Sequence, residues 1–266
     1  MKGRVQRLNK AGLGFVWITG SVVILLMACT PQQGTNSAGE TAASYQPGPA
    51  SLAPRPDADI ARDAGRKPNE VLAFLGVQPG MTALDVIAAG GYYTEVLAHA
   101  VGLEGRVYAQ NPAVVLRMRN GANDQQLNRR LLGNRLPNVR RLDRELSDLG
   151  LVADSVDVAV TALNFHDVYN RDPKQAAAML AIIKGLLKPG GVLGIIDHNG
   201  NAGADNAALH RMHVQDAITL AETAGFTVEN SDILANPDDD RSQGPFTPGL
   251  RGFTDRFLLK LTKPSE

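Results

Sequence analysis

Residues 83–101 read ALDVIAAGGYYTEVLAHAV and give the clearest indication of the fold. The first five residues form a short apolar run with a single acid, Asp85, and such a run predicts a buried strand. The glycine pair Gly90-Gly91 then opens a helix that is predicted from Tyr92 to Val101. A strand, a glycine turn and a helix in this order predict the first unit of an α/β domain.

The same alternation continues on both sides of this unit. It predicts an α/β fold with a doubly wound, mostly parallel seven-stranded sheet of the Rossmann-like type, covered by helices on both faces. Ligands of such sheets bind beyond the carboxyl ends of the strands, at the switch point. The other predicted strands cover residues 105–109, 138–142, 155–160, 192–196, 227–233 and 256–261. The other helices cover 58–75, with an interruption near Lys67-Pro68, and 114–132, 173–187 and 206–224.

The N-terminus has the pattern of an export signal. Four basic residues precede an apolar run, from Leu13 to Ala28, that is too short for the roughly 20 residues of a membrane span. The run ends in Leu-Met-Ala-Cys29, which resembles the lipobox of bacterial lipoproteins, although an uncleaved anchor helix is the alternative. We therefore predict a signal peptide over 1–28, a flexible tether over 29–56 and a domain over 57–266. Lipidated Cys29 would hold the domain at the cell envelope, and Thr30, which is no retention acid, favours the outer membrane.

Charge and cysteine content narrow the function further. The chain has 27 basic and 27 acidic residues, so removal of the four basic residues of the signal leaves a net charge of −4. The domain has no tract of basic residues that could attract the phosphates of a nucleic acid, so we predict no nucleic-acid partner. The only cysteine can form neither an internal disulfide nor a zinc cluster.

Several motifs together resemble the class I methyltransferases that use S-adenosylmethionine (SAM), and more narrowly a bacterial group of often exported members. The resemblance covers about residues 58–261. It implies SAM as cofactor and a small molecule or an envelope component as substrate. The motifs are Leu84-Asp85-Val86, Gly90-Gly91-Tyr92-Tyr93-Thr94-Glu95, Gly105–Ala109, Leu186–Leu193, Asn164-Phe165-His166-Asp167, Asp197-His198, Asp239-Asp240-Arg241 and Arg251–Phe257.

The resemblance also implies which residues hold the cofactor. Asp85 fills the position that faces the methionyl ammonium, and the loop after it lets the backbone pass close to the ligand. Asp143 matches a position that faces the adenine amino group, although a solvated acid is an equally good interpretation. The complete predicted cofactor set is Asp85, Ile87, Ala89, Gly90, Gly91, Asn111, Asp143 and Asn164.

Two departures from the family pattern stand out. Ile87 and Ala89 replace two of three glycines, and a β-branched residue is poorly suited to positive φ, so we expect a different loop path or a narrowed pocket. At the end of the second strand, Gln110 and Asn111 replace the usual acid, which predicts weaker hydrogen bonds to the ribose. Gly90-Gly91 as a simple strand–helix turn remains the alternative to a cofactor loop.

The predicted catalytic residues follow the fourth and fifth strands. His166, Asp167, Asp197 and His198 are candidates to orient or deprotonate the methyl acceptor, because a histidine titrates near neutral pH. A helix cap with a surface imidazole is the alternative.

A metal site is not predicted. Possible ligands are Asp197-His198, the pair His210 and His213 on one helix face, and the acids 238–240, but their spacing does not match the common zinc motifs.

The C-terminal segment leaves two interpretations open. Arg241, Arg251 and Arg256 alternate with acids, so they either clamp a substrate carboxylate or form structural ion pairs. A nicotinamide cofactor is disfavoured, because Gly-x-Gly-x-x-Gly and a ribose-binding acid are absent. Three hypotheses remain: an exported methyltransferase, a methyltransferase-like binding lipoprotein without activity, and an enzyme of hydrolytic or metal-assisted chemistry.

Overall fold

A computed structural model describes residues 52–265. Within these residues, seven strands form one sheet in the order β3-β2-β1-β4-β5-β7-β6. The sheet is mixed, because β7 runs antiparallel to both of its neighbours while β1 to β5 pair in parallel. The strands are β1 Thr82–Val86, β2 Arg106–Gln110, β3 Val139–Leu142, β4 Val156–Ala162, β5 Leu187–His198, β6 Thr227–Ser231 and β7 Arg256–Thr262.

Helices cover both faces of this sheet, as the alternation predicted. The helices are α1 Asp57–Ile60, α2 Asp63–Arg66, α3 Pro68–Leu75, α4 Tyr92–Val101, α5 Ala113–Leu131, α6 Phe165–Arg171, α7 Pro173–Leu186 and α8 Val214–Thr223. Residues 118–121 interrupt α5 with non-helical backbone. Within residues 52–265, no helix combines the length and apolar character needed to cross a bilayer.

The core consists of two apolar layers, one on each side of the sheet. On one side, residues of α3 and α4 pack with Leu127 of α5 against alternate residues of the strands. On the other side, residues of α7 and α8 pack with Phe165 at the start of α6. Because side chains alternate along a strand, Ala83 faces the first layer and Leu84 the second.

Buried ion pairs fix α4, the helix that follows the loop after β1. Glu95 is fully buried, and its two carboxylate oxygens pair with Arg130 of α5 and with Arg135. Arg130 also pairs with Asp59 of α1 at 2.6 Å and donates to the carbonyl of Gly90 at 3.0 Å. Loss of one partner from a buried pair costs about 3–5 kcal/mol, so these contacts stabilise α4 and its packing against α1 and α5.

Three local expectations are corrected by the structure. The helix predicted over 206–224 begins only at Val214, because residues 199–213 form a loop whose backbone bonds to the end of β5. The strand predicted over 192–196 extends to His198, so Asp197 and His198 end the strand instead of following it. A short helix, α6, was not predicted at all.

The N-terminal predictions have a different outcome. The signal peptide, Cys29 and most of the tether lie outside the described residues. Residues 53–55 were assigned to the tether, yet the amide of Ala53 donates to the carbonyl of Arg135, and Arg55 pairs with Asp63 at 2.7 Å. The folded part of the chain therefore begins before Asp57.

Candidate active site

The candidate site lies at the carboxyl ends of β1, β4 and β5. The sheet order reverses between β1 and β4, since β2 and β3 lie on one side of β1 and the later strands on the other. Such a switch point opens a crevice beyond the strand ends, where ligands of α/β sheets bind. Most of the predicted site residues lie at this edge.

Asp85 is buried one residue before the end of β1. One of its oxygens accepts a hydrogen bond from the Thr94 hydroxyl at 2.6 Å. Burial raises the pKa of Asp85 to about 7, and hydrogen bonds from Thr94 together with the charges of Arg130 and Arg66 only partly oppose that rise. The carboxylate therefore lies where a cation would be stabilised.

The loop after β1 has positive φ at the three positions where the family pattern has glycine. Ile87 has φ +55°, Ala89 has φ +50° and Gly91 has φ +82°. Ile87 itself adopts the left-handed conformation despite its branched side chain, so the loop does not avoid positive φ at this position, and a narrowed pocket stays a prediction. That conformation costs a non-glycine residue about 1–2 kcal/mol. The Ile87 side chain packs against the second core layer.

The end of β2 holds this strained loop in place. The amide of Ile87 donates to Gln110 Oε1 at 3.0 Å, and the amide of Ala89 donates to Asn111 Oδ1 at 2.8 Å. Asn111 also donates its Nδ2 to the Ala89 carbonyl at 3.2 Å, and Gln110 donates to the carbonyl of Arg144 at 2.8 Å. Both amides, predicted to face a ribose, are therefore engaged by the protein itself.

The other two predicted cofactor residues have different surroundings. Asp143 follows β3 on the surface, and its carboxylate pairs with Arg141 at 2.7 Å. Asn164 follows β4 and donates its Nδ2 to the carbonyls of Ile87 and Ala162 at 3.1 and 2.8 Å. Asn164 thus ties the end of β4 to the loop after β1.

The strongest polar contact at this edge joins His166 to Asp197. Asp197 is fully buried; its Oδ1 accepts from His166 Nδ1 at 2.6 Å and its Oδ2 from the His166 amide at 2.7 Å. The His198 amide donates to the same carboxylate at 2.8 Å. Burial opposes the charged ring, but the carboxylates of Asp197 and Asp167 outweigh burial and raise the pKa of His166 to about 10.

The other members of the predicted catalytic set differ in charge. Asp167 is exposed, and its contact with His166 lowers the pKa of Asp167 to about 2. His198 is buried, and burial, only partly opposed by Asp197, lowers the pKa of His198 to about 3. His198 Nδ1 lies 2.7 Å from the hydroxyl of Thr254. At neutral pH the site therefore holds one charged and one neutral imidazole.

The structure adds His210 to this group. His210 Nδ1 lies 3.2 Å from Asp167 Oδ1, and its ring lies 5.9 Å from that of His166. The sequence pattern missed this role because His210 was assigned to a helix together with His213. In the structure His210 lies in a loop with φ +50°, and His213 lies beside Asp216 instead.

A second group of charges lies beside Asp85. Burial raises the pKa of the Tyr93 hydroxyl to about 12. The charge of Asp85 adds to this rise, and the charges of Arg66 and Arg256 oppose it. All three charged groups therefore lie near Tyr93. Gly65 brings α2 against this region, since a Cβ there would lie 2.5 Å from the carbonyl oxygen of Gly252. The approach places Arg66 beside Arg256.

Arg256 is a buried cation that has no carboxylate partner among residues 52–265. It is 5% exposed, and its guanidinium donates to the carbonyls of Gly252 and Thr254 at 2.5 and 3.3 Å. Across residues 52–265 no carboxylate lies within ion-pair distance of Arg256 or Arg66. Burial lowers the pKa of Arg66 to about 10. This pair of guanidinium groups is therefore suited to bind an anion.

The other C-terminal charges are structural. Arg211, which is fully buried, pairs with Asp239 at 2.8 Å and donates to the carbonyls of Asn199 and Gln243. Arg241 pairs with Asp255 at 2.8 Å. Of the two interpretations that the sequence left open, ion pairing is confirmed for Arg241.

Comparison with solved structures defines the fold class. A SAM-dependent methyltransferase from Aquifex aeolicus aligns with a TM-score of 0.56 and 21% identity, over 79% of this chain and 100% of that chain. A possible exported protein from Bordetella parapertussis aligns with a TM-score of 0.52 and 15% identity, over 83% and 76% of the two chains. The cyclase SpnF aligns with a TM-score of 0.57 and 15% identity, over 81% and 86%.

These similarities establish a methyltransferase-type α/β fold. The sequence matched no family model and no curated protein. One of the three structural neighbours is described as a cyclase, so the fold by itself does not specify methyl transfer. The function has to be argued from the site.

Proposed function

We propose that this chain is an envelope-anchored methyltransferase that binds SAM and methylates a small molecule or an envelope component. The observation that carries the proposal is the loop after β1. Its backbone keeps the left-handed conformation at Ile87 and Ala89 although neither is glycine. Strain of this kind persists where the surrounding structure enforces it, and it clusters at ligand sites.

The methionyl end of the cofactor fits the residues present. That end carries an ammonium and a carboxylate. Asp85, with its pKa raised by burial, would pair with the ammonium and be stabilised in return. Arg66 and Arg256, which have no carboxylate partner in the described chain, would hold the carboxylate. The Tyr93 hydroxyl is influenced by the charges of both groups.

The adenosyl end fits less well. Asn111 cannot turn towards a ribose without releasing the Ala89 backbone. Asp143 is exposed and can exchange Arg141 for an adenine amino group. The proposed affinity for SAM is therefore weaker than that of a site with a free acid at the end of β2.

The acceptor would lie against the histidines at the ends of β4 and β5. When bound, SAM supplies the electrophilic methyl group. His166 is charged and would orient an acceptor oxygen by donating a hydrogen bond, while Asp197 holds its ring. His198 is neutral, but burial lowers its pKa to about 3, which makes it a weak base, so it would help to orient the acceptor and not deprotonate it.

Transfer of a labelled methyl group tests the activity. The full chain is incubated with methyl-labelled SAM and fractions of a cell-envelope extract. We expect label in one acceptor fraction, and expect the Asp197→Asn variant to lose at least tenfold in rate because the His166 ring is no longer held. Bound SAM without transfer to any fraction would contradict an enzymatic role.

The carboxylate clamp is tested by a matched pair of variants. Arg256→Gln is expected to weaken SAM binding at least tenfold, since a buried charge-assisted contact is lost. Arg251→Gln is the control, because Arg251 is exposed. Equal affinities of the two variants would contradict the placement of the cofactor carboxylate.

Anchoring through lipidated Cys29 is the part of the proposal that concerns location. The likeness to a possible exported protein supports an envelope location. Labelling with a radioactive fatty acid should mark the wild type and leave Cys29→Ser unlabelled. Label on both proteins would contradict the lipobox.

A methyltransferase-like binding lipoprotein without activity is the second candidate. The engagement of Asn111 by Ala89 favours it, because the site then lacks a free group for the ribose. This candidate predicts a folded chain that neither binds nor transfers from SAM.

A further inference from the structure

We propose that His166, Asp167 and His210 bind a divalent transition-metal ion of the zinc class. Each residue offers one ligand atom, and the three atoms lie within 4.8 Å of one another. This inference concerns metal binding by the chain itself and goes beyond the proposed methyl transfer. Metal binding displaces the proton of His166 Nε2, so the ion would replace the hydrogen bond that this atom donates in the metal-free protein. The inference stands whether or not the chain binds SAM.

The distances suit a tetrahedral ion. His166 Nε2 lies 3.3 Å and His210 Nδ1 lies 3.2 Å from Asp167 Oδ1. Ligand atoms that surround zinc at bond lengths of 2.0–2.1 Å are separated by about 3.3 Å. Two edges of the ligand triangle therefore have the required length already, and the side chain of His210 is half exposed and free to complete the third.

Asp197 orients the central ligand. It accepts from His166 Nδ1 at 2.6 Å and from the His166 amide at 2.7 Å, which fixes the ring plane and leaves Nε2 directed at Asp167. Metal-bound histidines almost always donate their other ring nitrogen to a carboxylate or carbonyl in this way. The fully buried Asp197 thus has the position of an outer-shell partner.

The loop that carries His210 is held on both sides. The buried guanidinium of Arg211 bonds to the carbonyls of Asn199 and Gln243, and the amide of Met212 bonds to the carbonyl of His198. These contacts hold His210 at φ +50° with its ring towards Asp167. A residue held in a sparsely populated conformation by its surroundings is common at ligand sites.

The ligand set indicates both the ion and its open position. Two imidazoles and one carboxylate favour zinc, cobalt or nickel over magnesium and calcium, which prefer oxygen alone. Three protein ligands leave a fourth position for water, as in catalytic zinc sites. That position would take an oxygen donor of a bound molecule, such as a carboxylate or a hydroxyl group.

Calorimetric titration of the chelator-treated full chain with Zn²⁺ tests the site. We expect one ion per chain at micromolar affinity or better, unaffected by an excess of Mg²⁺. His210→Ala should weaken binding at least 100-fold, and Asp197→Asn about 10–100-fold because the outer-shell contact is lost. His213→Ala is the matched control, since His213 lies outside the cluster.

Cobalt provides a second readout of the same ligands. A tetrahedral Co²⁺ complex absorbs visible light strongly, so the wild type and His213→Ala should turn blue and Asp167→Asn should not. The proposal is overturned if the folded wild type binds no Zn²⁺, or if His210→Ala keeps the wild-type affinity. The three side chains would then form a hydrogen-bonded network only.

Discussion

Replacement of Asp85 by Asn separates the stability of the domain from its proposed function. The buried carboxyl has a pKa raised from 3.8 to about 7. Between these two pH values the unfolded chain releases the proton while the folded chain retains it, so rising pH destabilises the fold. A rise of this size corresponds to about 4 kcal/mol of unfolding free energy at pH 8. Asn does not titrate, and its carbonyl still accepts from Thr94.

Urea unfolding followed by circular dichroism measures this effect. At pH 4 the unfolding free energies of the wild type and Asp85→Asn should nearly agree, and at pH 8 the variant should be more stable by about 4 kcal/mol. The variant should nevertheless bind SAM more weakly, because a neutral amide cannot pair with the ammonium. An equal difference in stability at both pH values would refute the burial argument.

Two further predictions concern backbone strain and buried charge. Ala89→Gly should relieve the strain of the left-handed conformation. In urea titrations its unfolding free energy should be about 1–2 kcal/mol higher than that of Ala88→Gly, the control at a neighbouring residue without positive φ. Equal unfolding free energies of the two variants would show that the conformation of Ala89 costs nothing. Asp239→Ala should destabilise the fold by about 3–5 kcal/mol in thermal unfolding, because it leaves Arg211 as a buried unpaired cation, whereas the exposed Asp238→Ala should change stability by less than about 0.5 kcal/mol. A small effect of Asp239→Ala would contradict a structural role of the pair.

The fold was largely predictable from the sequence. The apolar strands and the glycine turn after β1 specify an alternating α/β chain, and the seven-stranded sheet follows from that alternation. The missed elements are those without a strong periodic signal. The loop over residues 199–213 was predicted in part as a helix, because the contacts that hold it in place are not local. Arg211 donates hydrogen bonds to backbone carbonyls that are 12 and 32 residues away in the sequence.

The candidate site was predictable only in part. Asp85, His166 and Asp197 were expected at the strand ends, and the structure places them there. The hydrogen bond from the Ala89 amide to Asn111 was not predicted. An asparagine at the end of β2 could bond to the loop backbone or to a ribose, and the sequence does not distinguish these two roles. The contact between His210 and Asp167 joins residues 43 positions apart, which no local pattern reports.

Calorimetric titration of the full chain with SAM and with its demethylated product tests whether the site binds the proposed cofactor. We expect micromolar binding of both ligands, with SAM binding lost or strongly weakened in Asp85→Asn. Absence of binding heat from a chain shown to be folded by circular dichroism would contradict this expectation, and the methyltransferase-type fold would then serve another ligand.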